Sequence, residues 1–187
     1  MYIIGCMAYD ERVLMRALAE PTTQRKAFEQ LVRQYSEQLY WKIRRIVLVH
    51  DDADDVLQNT FVKAWINLSD FRGQSRISTW LYRIAINEAL DFLRKKKHLQ
   101  DISVDEAAGV ATMLLADEYF DGDKAQALLQ EAIATLPDVQ RTVFNLRYYD
   151  NMKYNEMSTL LDTSVGALKA SFHHAVMKVT AYVKARQ

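Results

Sequence analysis

Apolar residues in the first half of the chain recur at intervals of three and four positions, the spacing that lines one face of an α-helix. The clearest set runs Phe28, Leu31, Val32, Tyr35, Leu39, Ile43, Ile46 and Val47. A second set, Leu57, Phe61, Trp65 and Leu68, follows the acidic run from Asp51 to Asp55. Carboxylates are favourable at the positive end of the helix dipole, so this run predicts the start of a second helix.

The segment from Phe71 to Ser75 predicts a tight loop, with Gly73 allowing a sharp bend. Ser78 or Thr79 can then cap a third helix that continues through Lys97.

Four more helices are predicted in the second half of the chain. The first spans Ala125 to Thr135, and the second begins at Pro137, because proline is favoured at the first position of a helix. The third spans Lys153 to Leu161, and the fourth spans Val165 to Lys184. The last two are separated by a turn at residues 162–164. Residues 99–124 show no sustained period, and only Val110 to Ala116 suggests a short helix. The pattern therefore predicts an all-α chain of two helical domains joined by a flexible linker.

Composition excludes several classes of protein. With 50% hydrophobic residues and only 5 Gly and 2 Pro, the chain is neither disordered nor built from closely spaced β-turns. Its single cysteine, Cys6, cannot form an internal disulfide and is too few for a structural zinc site. We therefore expect a cytoplasmic protein. No apolar run approaches the roughly 20 residues of a membrane span, so no membrane insertion is expected.

Charge is unevenly distributed although the formal net charge is zero. Residues 72–97 carry seven basic residues against two acids, and residues 141–187 carry seven against three. Within residues 99–124, between these segments, seven acids are offset only by Lys124: Asp101, Asp105, Glu106, Asp117, Glu118, Asp121 and Asp123. This alternation suggests two polyanion-binding domains and an acidic linker.

Residues 154–169 have the layout of a helix-turn-helix. Met157, Leu160 and Leu168 are spaced to face a shared core, and the small Ser158 lets the two helices approach. The outward face then carries side chains that can donate to phosphates and base edges: Lys169, Ser171, His173, His174 and Lys178. An ordinary helical hairpin is the alternative.

The adjacent histidines His173 and His174 also suggest a metal site. Adjacent residues of a helix point about 100° apart, which argues against this interpretation.

Aromatic and basic residues alternate in the segment from Phe71 to Lys97. Trp80, Tyr82 and Phe92 are interleaved with Arg76, Arg83 and Arg94. Such a mixture suits single-stranded nucleic acid, because bases stack on rings while cations follow the backbone. A loop with an adjacent pocket could also hold a base taken out of the duplex stack. The alternative is that Trp80 and Phe92 only pack in the core.

Two sets of motifs, one in each half of the chain, carry a family resemblance. The first comprises Asp54 to Trp65, Phe71 to Ser75 and Thr79 to Asn87, and the second comprises Leu136-Pro137, Leu146 to Tyr149 and Val165 to Lys169. The first set resembles the second conserved region, and the second set the fourth region, of the extracytoplasmic-function sigma factors of bacterial RNA polymerase. The matches, in this order and spacing, cover about residues 28–97 and 128–183.

The resemblance implies a role for each region. Docking on the clamp coiled coil of core RNA polymerase would involve Asp54, Asp55, Gln58, Asn59, Phe61, Val62 and Trp65. For Phe61 and Trp65, core packing is an equally open interpretation. Capture of the non-template strand at the minus-ten element would involve Phe71, Arg72, Gly73, Gln74, Ser75, Arg76, Thr79, Trp80, Arg83 and Asn87. Contact with the minus-thirty-five element would involve Arg147, Lys169, Ser171, His173 and His174.

The resemblance also carries expectations about partners and specificity. Core RNA polymerase and promoter DNA are the expected partners, and an anti-sigma factor is expected because a free factor would compete constantly for polymerase. Recognition helices of the family often carry several arginines, whereas this one has Ala170, Ser171, His173 and His174. We therefore expect a promoter element that is A/T-rich or read through its shape rather than through guanine.

The predicted organisation assigns residues 1–21 to an N-terminal extension, 22–98 to sigma region 2, 99–124 to the acidic linker and 125–187 to sigma region 4. The linker would thread the polymerase cleft and mimic nucleic acid, or serve only as a solvated tether. No cofactor and no catalytic activity are expected, because the sequence shows no nucleophile–base pair or phosphate-cradling glycine loop.

Two other functions fit part of the sequence. One is a stand-alone helix-turn-helix transcriptional regulator that would use only the second domain, and a complex with core polymerase distinguishes it from a sigma factor. The other is a helical scaffold for protein partners, which the basic segments disfavour.

Overall fold

The structure is a computed structural model that describes residues 11–71, 73, 75–99 and 124–186, with the side chains of residues 97–99 left aside. Within these ranges it contains eight α-helices, one 3₁₀ turn and no strand, which confirms the all-α prediction. Arg72, Gln74, residues 100–123 of the acidic linker and, among them, the suggested helix from Val110 to Ala116 lie outside the described residues.

The described residues form a series of helices. In order, they are α1 (Glu11–Ala19), α2 (Gln24–Val47), α3 (His50–Ile66), the 3₁₀ turn (Leu68–Asp70), α4 (Ile77–Leu99), α5 (Lys124–Ala134), α6 (Asp138–Tyr148), α7 (Tyr154–Leu161) and α8 (Val165–Lys184).

The chain divides into two compact units, Met1–Arg44 with Val49–Ala89, and Arg45–Leu48 with Leu90–Gln187. The four-part division expected from the sequence, with its boundaries, stays a prediction.

Four helices build the core of the first unit, each through residues three or four positions apart. Leu14 of α1, Leu39 of α2, Val56 of α3 and Leu81 of α4 are all buried. On α3, the buried face consists of Ala53, Val56, Thr60 and Ala64. These small or short side chains allow close packing, so α3 presents its bulkier residues elsewhere.

The start of α4 differs from its prediction. The helix begins at Ile77, so Ser78 and Thr79 lie inside its first turn and do not hold the capping position. The N–H of Ile77 instead donates to the carboxylate Oε1 of Glu11, at 2.8 Å. The prediction of a Ser or Thr cap was wrong because the acceptor comes from α1, far away in sequence.

The second unit packs α5, α6 and α8 around a buried cluster that includes Ile133, Phe144 and Val179. The predicted turn between α7 and α8 is confirmed. Asp162 adopts a left-handed conformation with φ of 48°, and the Ser164 hydroxyl accepts the N–H of Ala167 to cap α8.

A buried arginine closes the junction between α5 and α6. Arg141 donates through Nη1 to the carbonyls of Ala134 and Leu136, both at 3.1 Å, and through Nη2 to Asp138 at 2.8 Å. Burial lowers the pKa of Arg141, and the charge of Asp138 acts in the opposite direction. The guanidinium therefore satisfies carbonyls that the end of α5 would leave unpaired. Pro137 lies immediately before α6, one position earlier than predicted.

Replacing Leu168, of which 1% is exposed, with Ala should leave a cavity in the second unit. We expect the free energy of unfolding of that unit to fall by about 2–5 kcal/mol. Hydrogen exchange of the amides of α6 and α8 measures this change. The control is Met177→Ala on the same helix, where the side chain is 60% exposed and the expected change is within about 0.5 kcal/mol. Equal effects of the two substitutions would contradict the assigned packing.

Candidate nucleic-acid and polymerase interfaces

The loop before α4 is organised by two aromatic rings. The ring centroids of Phe71 and Trp80 lie 4.9 Å apart with an interplanar angle of 35°. Both side chains are half-buried, so Trp80 is not a fully buried core residue, and neither is the half-buried Phe92. Gly73 is exposed and has a φ of +68°, a conformation that strains other residue types.

The exposed face of α4 continues from this loop. Arg76, Thr79, Arg83 and Asn87 are spaced by three or four positions and are all exposed, as is Ser75. Tyr82 lies off this row, since its hydroxyl donates to Oε1 of Gln38 at 2.9 Å and Lys42 lies over its ring. The structure thus brings together every described minus-ten candidate in one loop and one helix face.

A second row of side chains runs along α3, opposite its buried face. Val62 is 56% exposed, Trp65 is 43% exposed and Ile66 is 67% exposed. Asp55, Gln58 and Asn59 continue the same exposed row toward the helix start. Exposed apolar residues grouped on one helix are typical of a protein-binding surface.

The remaining polymerase-binding candidates on α3 are partly engaged within the first unit. Asp54 is half-buried, and its Oδ2 lies 3.5 Å from Nε2 of His50. Phe61 is half-buried. The ring of Trp65 packs edge-on against Phe28 with centroids 4.9 Å apart. The side chain of Trp65 is therefore partly packed and partly exposed, so its position is compatible with core packing and with polymerase binding.

The third surface is the outward face of α8. Lys169, His173 and His174 are exposed, and Ser171 is half-buried at the edge of the face. Phe172 lies inward, where its ring stacks on Phe144 at 5.7 Å between centroids. This aromatic residue therefore belongs to the core side of the helix.

Tyr154, the first residue of α7, lies between two basic residues. The guanidinium of Arg147 is 5.4 Å from the centroid of its ring, and Nζ of Lys169 is 5.8 Å from it. Arg147 also donates from Nη1 to the carbonyl of Met152 at 3.3 Å. The ring thus holds Arg147 and Lys169 near one another at the start of the helix-turn-helix.

Two other features of the second unit bear on this surface. Lys178 donates to Oε1 of Gln140 at 3.0 Å, so its ammonium is tied to α6. The rings of His173 and His174 have centroids 5.9 Å apart. Across the described part of the chain, no group of three or more His, Cys, Asp or Glu residues could hold a metal ion.

Sequence reasoning missed two residues at these surfaces. Ile66 extends the exposed apolar row of α3, and its position four residues after Val62 could have revealed it. Tyr154 was seen only as the first residue of the helix-turn-helix. Its contact with Arg147 and Lys169 depends on how three helices pack, and no local signal indicates it.

Family models match both halves of the chain. The Sigma-70 region 2 model matches residues 31–99, and the Sigma-70, region 4 model matches residues 126–179. Among the helices of the described residues, none is both long enough and apolar enough to cross a membrane.

Similar proteins include two named sigma factors. The ECF RNA polymerase sigma factor SigW of Bacillus subtilis (strain 168) is 33% identical over 156 residues, which cover 79% of this chain and 83% of that protein. The ECF RNA polymerase sigma-E factor of Haemophilus influenzae is 30% identical over 176 residues, covering 88% and 93%.

Among solved structures, CnrH in complex with the cytosolic domain of CnrY is 26% identical, with a TM-score of 0.67, covering 95% of this chain and 99% of that one. The sigma factor RpoE of Bartonella quintana shares the fold. It is 20% identical, with a TM-score of 0.64, and the match covers 87% of this chain and 99% of that one.

None of these matches supports a stand-alone regulator, because region 2 is matched together with region 4. The chain therefore belongs to the extracytoplasmic-function sigma factors, a family of non-enzymatic transcription initiation factors of bacterial RNA polymerase.

Proposed function

We propose that this sigma factor uses its three exposed helix faces for three separate tasks, namely polymerase docking on α3, strand opening at α4 and duplex recognition on α8. The observation that supports this assignment most is the row of Arg76, Thr79, Arg83 and Asn87, which extends directly from the Phe71–Ser75 loop. A cytoplasmic protein that acts through binding energy alone, without catalysis, fits these tasks.

The minus-ten element would be captured as single-stranded DNA. Arg76 and Arg83 can follow the phosphates, while Asn87 and Thr79 can donate to bases. An unstacked base could enter beside the rings of Phe71 and Trp80, which already contact each other and form an aromatic surface. Binding the unpaired strand more strongly than the duplex would draw the DNA equilibrium toward the open state.

Core polymerase would be bound through the exposed row of α3. Val62, Trp65 and Ile66 provide apolar area at one end, and Asp55 with Gln58 provides acidic and polar groups at the other. An interface of this kind has an apolar centre and a polar rim. The acids suit a basic partner surface, and the half-buried Asp54 would lie at its edge.

The minus-thirty-five element would be read by α8 in the major groove. Lys169 and Arg147, both near the ring of Tyr154, would contact phosphates, and His173, His174 and Ser171 would reach base edges. Imidazole and hydroxyl groups make fewer paired contacts with guanine than a guanidinium does. We therefore propose recognition that depends on A/T content or on groove shape.

We further propose an inhibitory protein partner. CnrH, which is similar over nearly the whole chain, is recorded in complex with the cytosolic domain of CnrY. A partner that covers the exposed row of α3 would keep the factor from polymerase until it is released.

Run-off transcription with bacterial core RNA polymerase on a library of random promoters tests the proposal directly. The holoenzyme should enrich one minus-ten and one minus-thirty-five sequence that core enzyme alone does not enrich. A purified protein that binds DNA but forms no complex with core polymerase would contradict it. The enriched promoter then serves as the substrate for the variants below.

Replacing Asn87 with Ala should slow open-complex formation about tenfold, since one lost base contact costs about 1–3 kcal/mol. Affinity for core polymerase should not change, because Asn87 is exposed on α4 rather than on α3. Fluorescence of 2-aminopurine in the minus-ten element and a core-binding titration measure the two quantities. Gln30→Ala, an exposed amide on α2, is the control. Equal losses in both measurements would refute the separation of tasks.

Replacing Val62 with Glu should weaken binding to core polymerase by about tenfold or more, because a charge would be buried in an apolar interface. Val13→Glu on α1 is the matched control, with a side chain that is 45% exposed against 56% for Val62. Fluorescence anisotropy of labelled protein with core enzyme gives both affinities. If the two variants bind equally well, α3 is not the docking surface.

Replacing Lys169 with Ala should weaken binding to a duplex minus-thirty-five element and reduce the slope of log affinity against log salt by about one. Lys184→Ala, an exposed lysine at the other end of α8, should leave the slope unchanged. Titrations at several salt concentrations measure the slope. An unaltered slope for Lys169→Ala would exclude a phosphate contact by this residue.

A further inference from the structure

Helix α1 lies outside the family-matched part of the chain, which begins at residue 31. It is nevertheless built into the first unit, because Leu14 and Leu18 are buried with only 1% and 3% of their surface exposed. Helix α1 is therefore a structural part of the first unit.

The C-terminal end of α1 is fastened to the beginning of α2. The hydroxyl of Thr23 donates to the carbonyl of Ala17 at 2.8 Å, and Nε2 of Gln24 donates to the carbonyl of Leu18 at 3.0 Å. These bonds satisfy carbonyls that the last turn of a helix leaves unpaired. Together with the buried leucines, they set the position of α1 against α2.

The N-terminal end of α1 reaches the first turn of α4. Oε1 of Glu11 accepts the backbone N–H of Ile77 at 2.8 Å, across 66 positions of sequence. Arg76, which precedes the helix, has no acceptor in its side chain to serve as a cap. A carboxylate at this place is also favourable to the helix dipole. Glu11 thus supplies the cap that the sequence next to α4 lacks.

The charge of Glu11 also acts on Tyr35 of α2. Burial raises the pKa of Tyr35, and the negative charge of Glu11 raises it further. The carboxylate therefore lies close to residues of α2 as well as to the start of α4, at a point where three helices of the first unit meet.

The helix turn capped by Glu11 lies next to residues proposed to meet DNA. Arg76 directly precedes Ile77, Thr79 and Trp80 complete the first turn, and Phe71 packs on Trp80. A helix end without a cap frays in its first turn. Fraying here would move Arg76 and disturb the Phe71–Trp80 contact together.

We propose that Glu11 is a positioning residue for promoter opening, which holds the first turn of α4 and the preceding loop in the geometry that binds the unpaired minus-ten strand. This inference rests on the proposed role of α4. It assigns α1 to the strand-opening part of the protein, although Glu11 itself touches no DNA.

The experiment uses holoenzyme assembled from core polymerase and the full-length protein. The probes are a single-stranded oligonucleotide with the non-template minus-ten sequence enriched by the wild type, and a scrambled oligonucleotide of the same composition. Glu11→Ala removes the acceptor, Glu11→Gln keeps an acceptor oxygen without the charge, and Glu20→Ala is the control at an exposed glutamate beyond the end of α1. Arg83→Ala is measured in parallel.

Glu11→Ala should reduce the preference for the specific over the scrambled strand about three- to tenfold and slow open-complex formation by a similar factor. Glu11→Gln should recover part of both losses, since its amide oxygen can accept the same bond. Affinity for core polymerase should stay at the wild-type value in all variants, and Glu20→Ala should behave as wild type. A purely structural role would instead lower core affinity together with strand preference.

Unchanged strand preference in Glu11→Ala overturns the inference, as does an equal loss of core affinity. The Arg83→Ala variant separates this failure from failure of the proposed function. If Arg83→Ala loses strand preference while Glu11→Ala does not, only the role of Glu11 falls. If neither variant loses it, the assignment of α4 to the minus-ten element falls as well.

Discussion

Each surface proposed for binding depends on the packing of the opposite face of the same helix. On α3, the small residues Ala53 and Ala64 are buried with Val56, and an α-helix repeats every 3.6 residues. Burying that face therefore turns Val62 and Trp65 outward. The same constraint on α8, where Leu168 and Ala175 are buried, turns Lys169 and His173 outward. Core packing thus decides which residues are available for binding.

The three surfaces differ in the chemistry they offer. The row on α3 combines exposed apolar side chains with acids, which suits a protein surface. The row on α4 combines arginines with polar groups beside a pair of aromatic rings, which suits an unpaired strand. The face of α8 offers a lysine and two imidazoles, which suit the phosphates and base edges of a duplex. This separation agrees with a family of initiation factors that act by binding.

Contacts of polar side chains between helices stabilise the fold together with the apolar core. Glu11 caps the first turn of α4, Arg141 satisfies carbonyls at the end of α5, and Tyr154 lies between Arg147 and Lys169. Each contact joins two or more helices. Because helix ends leave backbone groups unpaired, such contacts hold the ends in place beside the loops.

Local sequence determined much of this protein. Apolar periodicity predicted seven of the eight described helices, all except α1, and the turn residues predicted the break at Asp162. These features depend on contacts between neighbours a few positions apart, so they can be read along the chain.

The tertiary structure alone decided the rest. It placed Glu11 rather than Ser78 or Thr79 at the start of α4, put Phe172 against Phe144, and packed Trp65 on Phe28 while leaving it partly exposed. Each of these contacts joins residues of different helices. Their partners are selected by how whole helices pack, and a sequence pattern with a period of one helical turn holds no information about that choice.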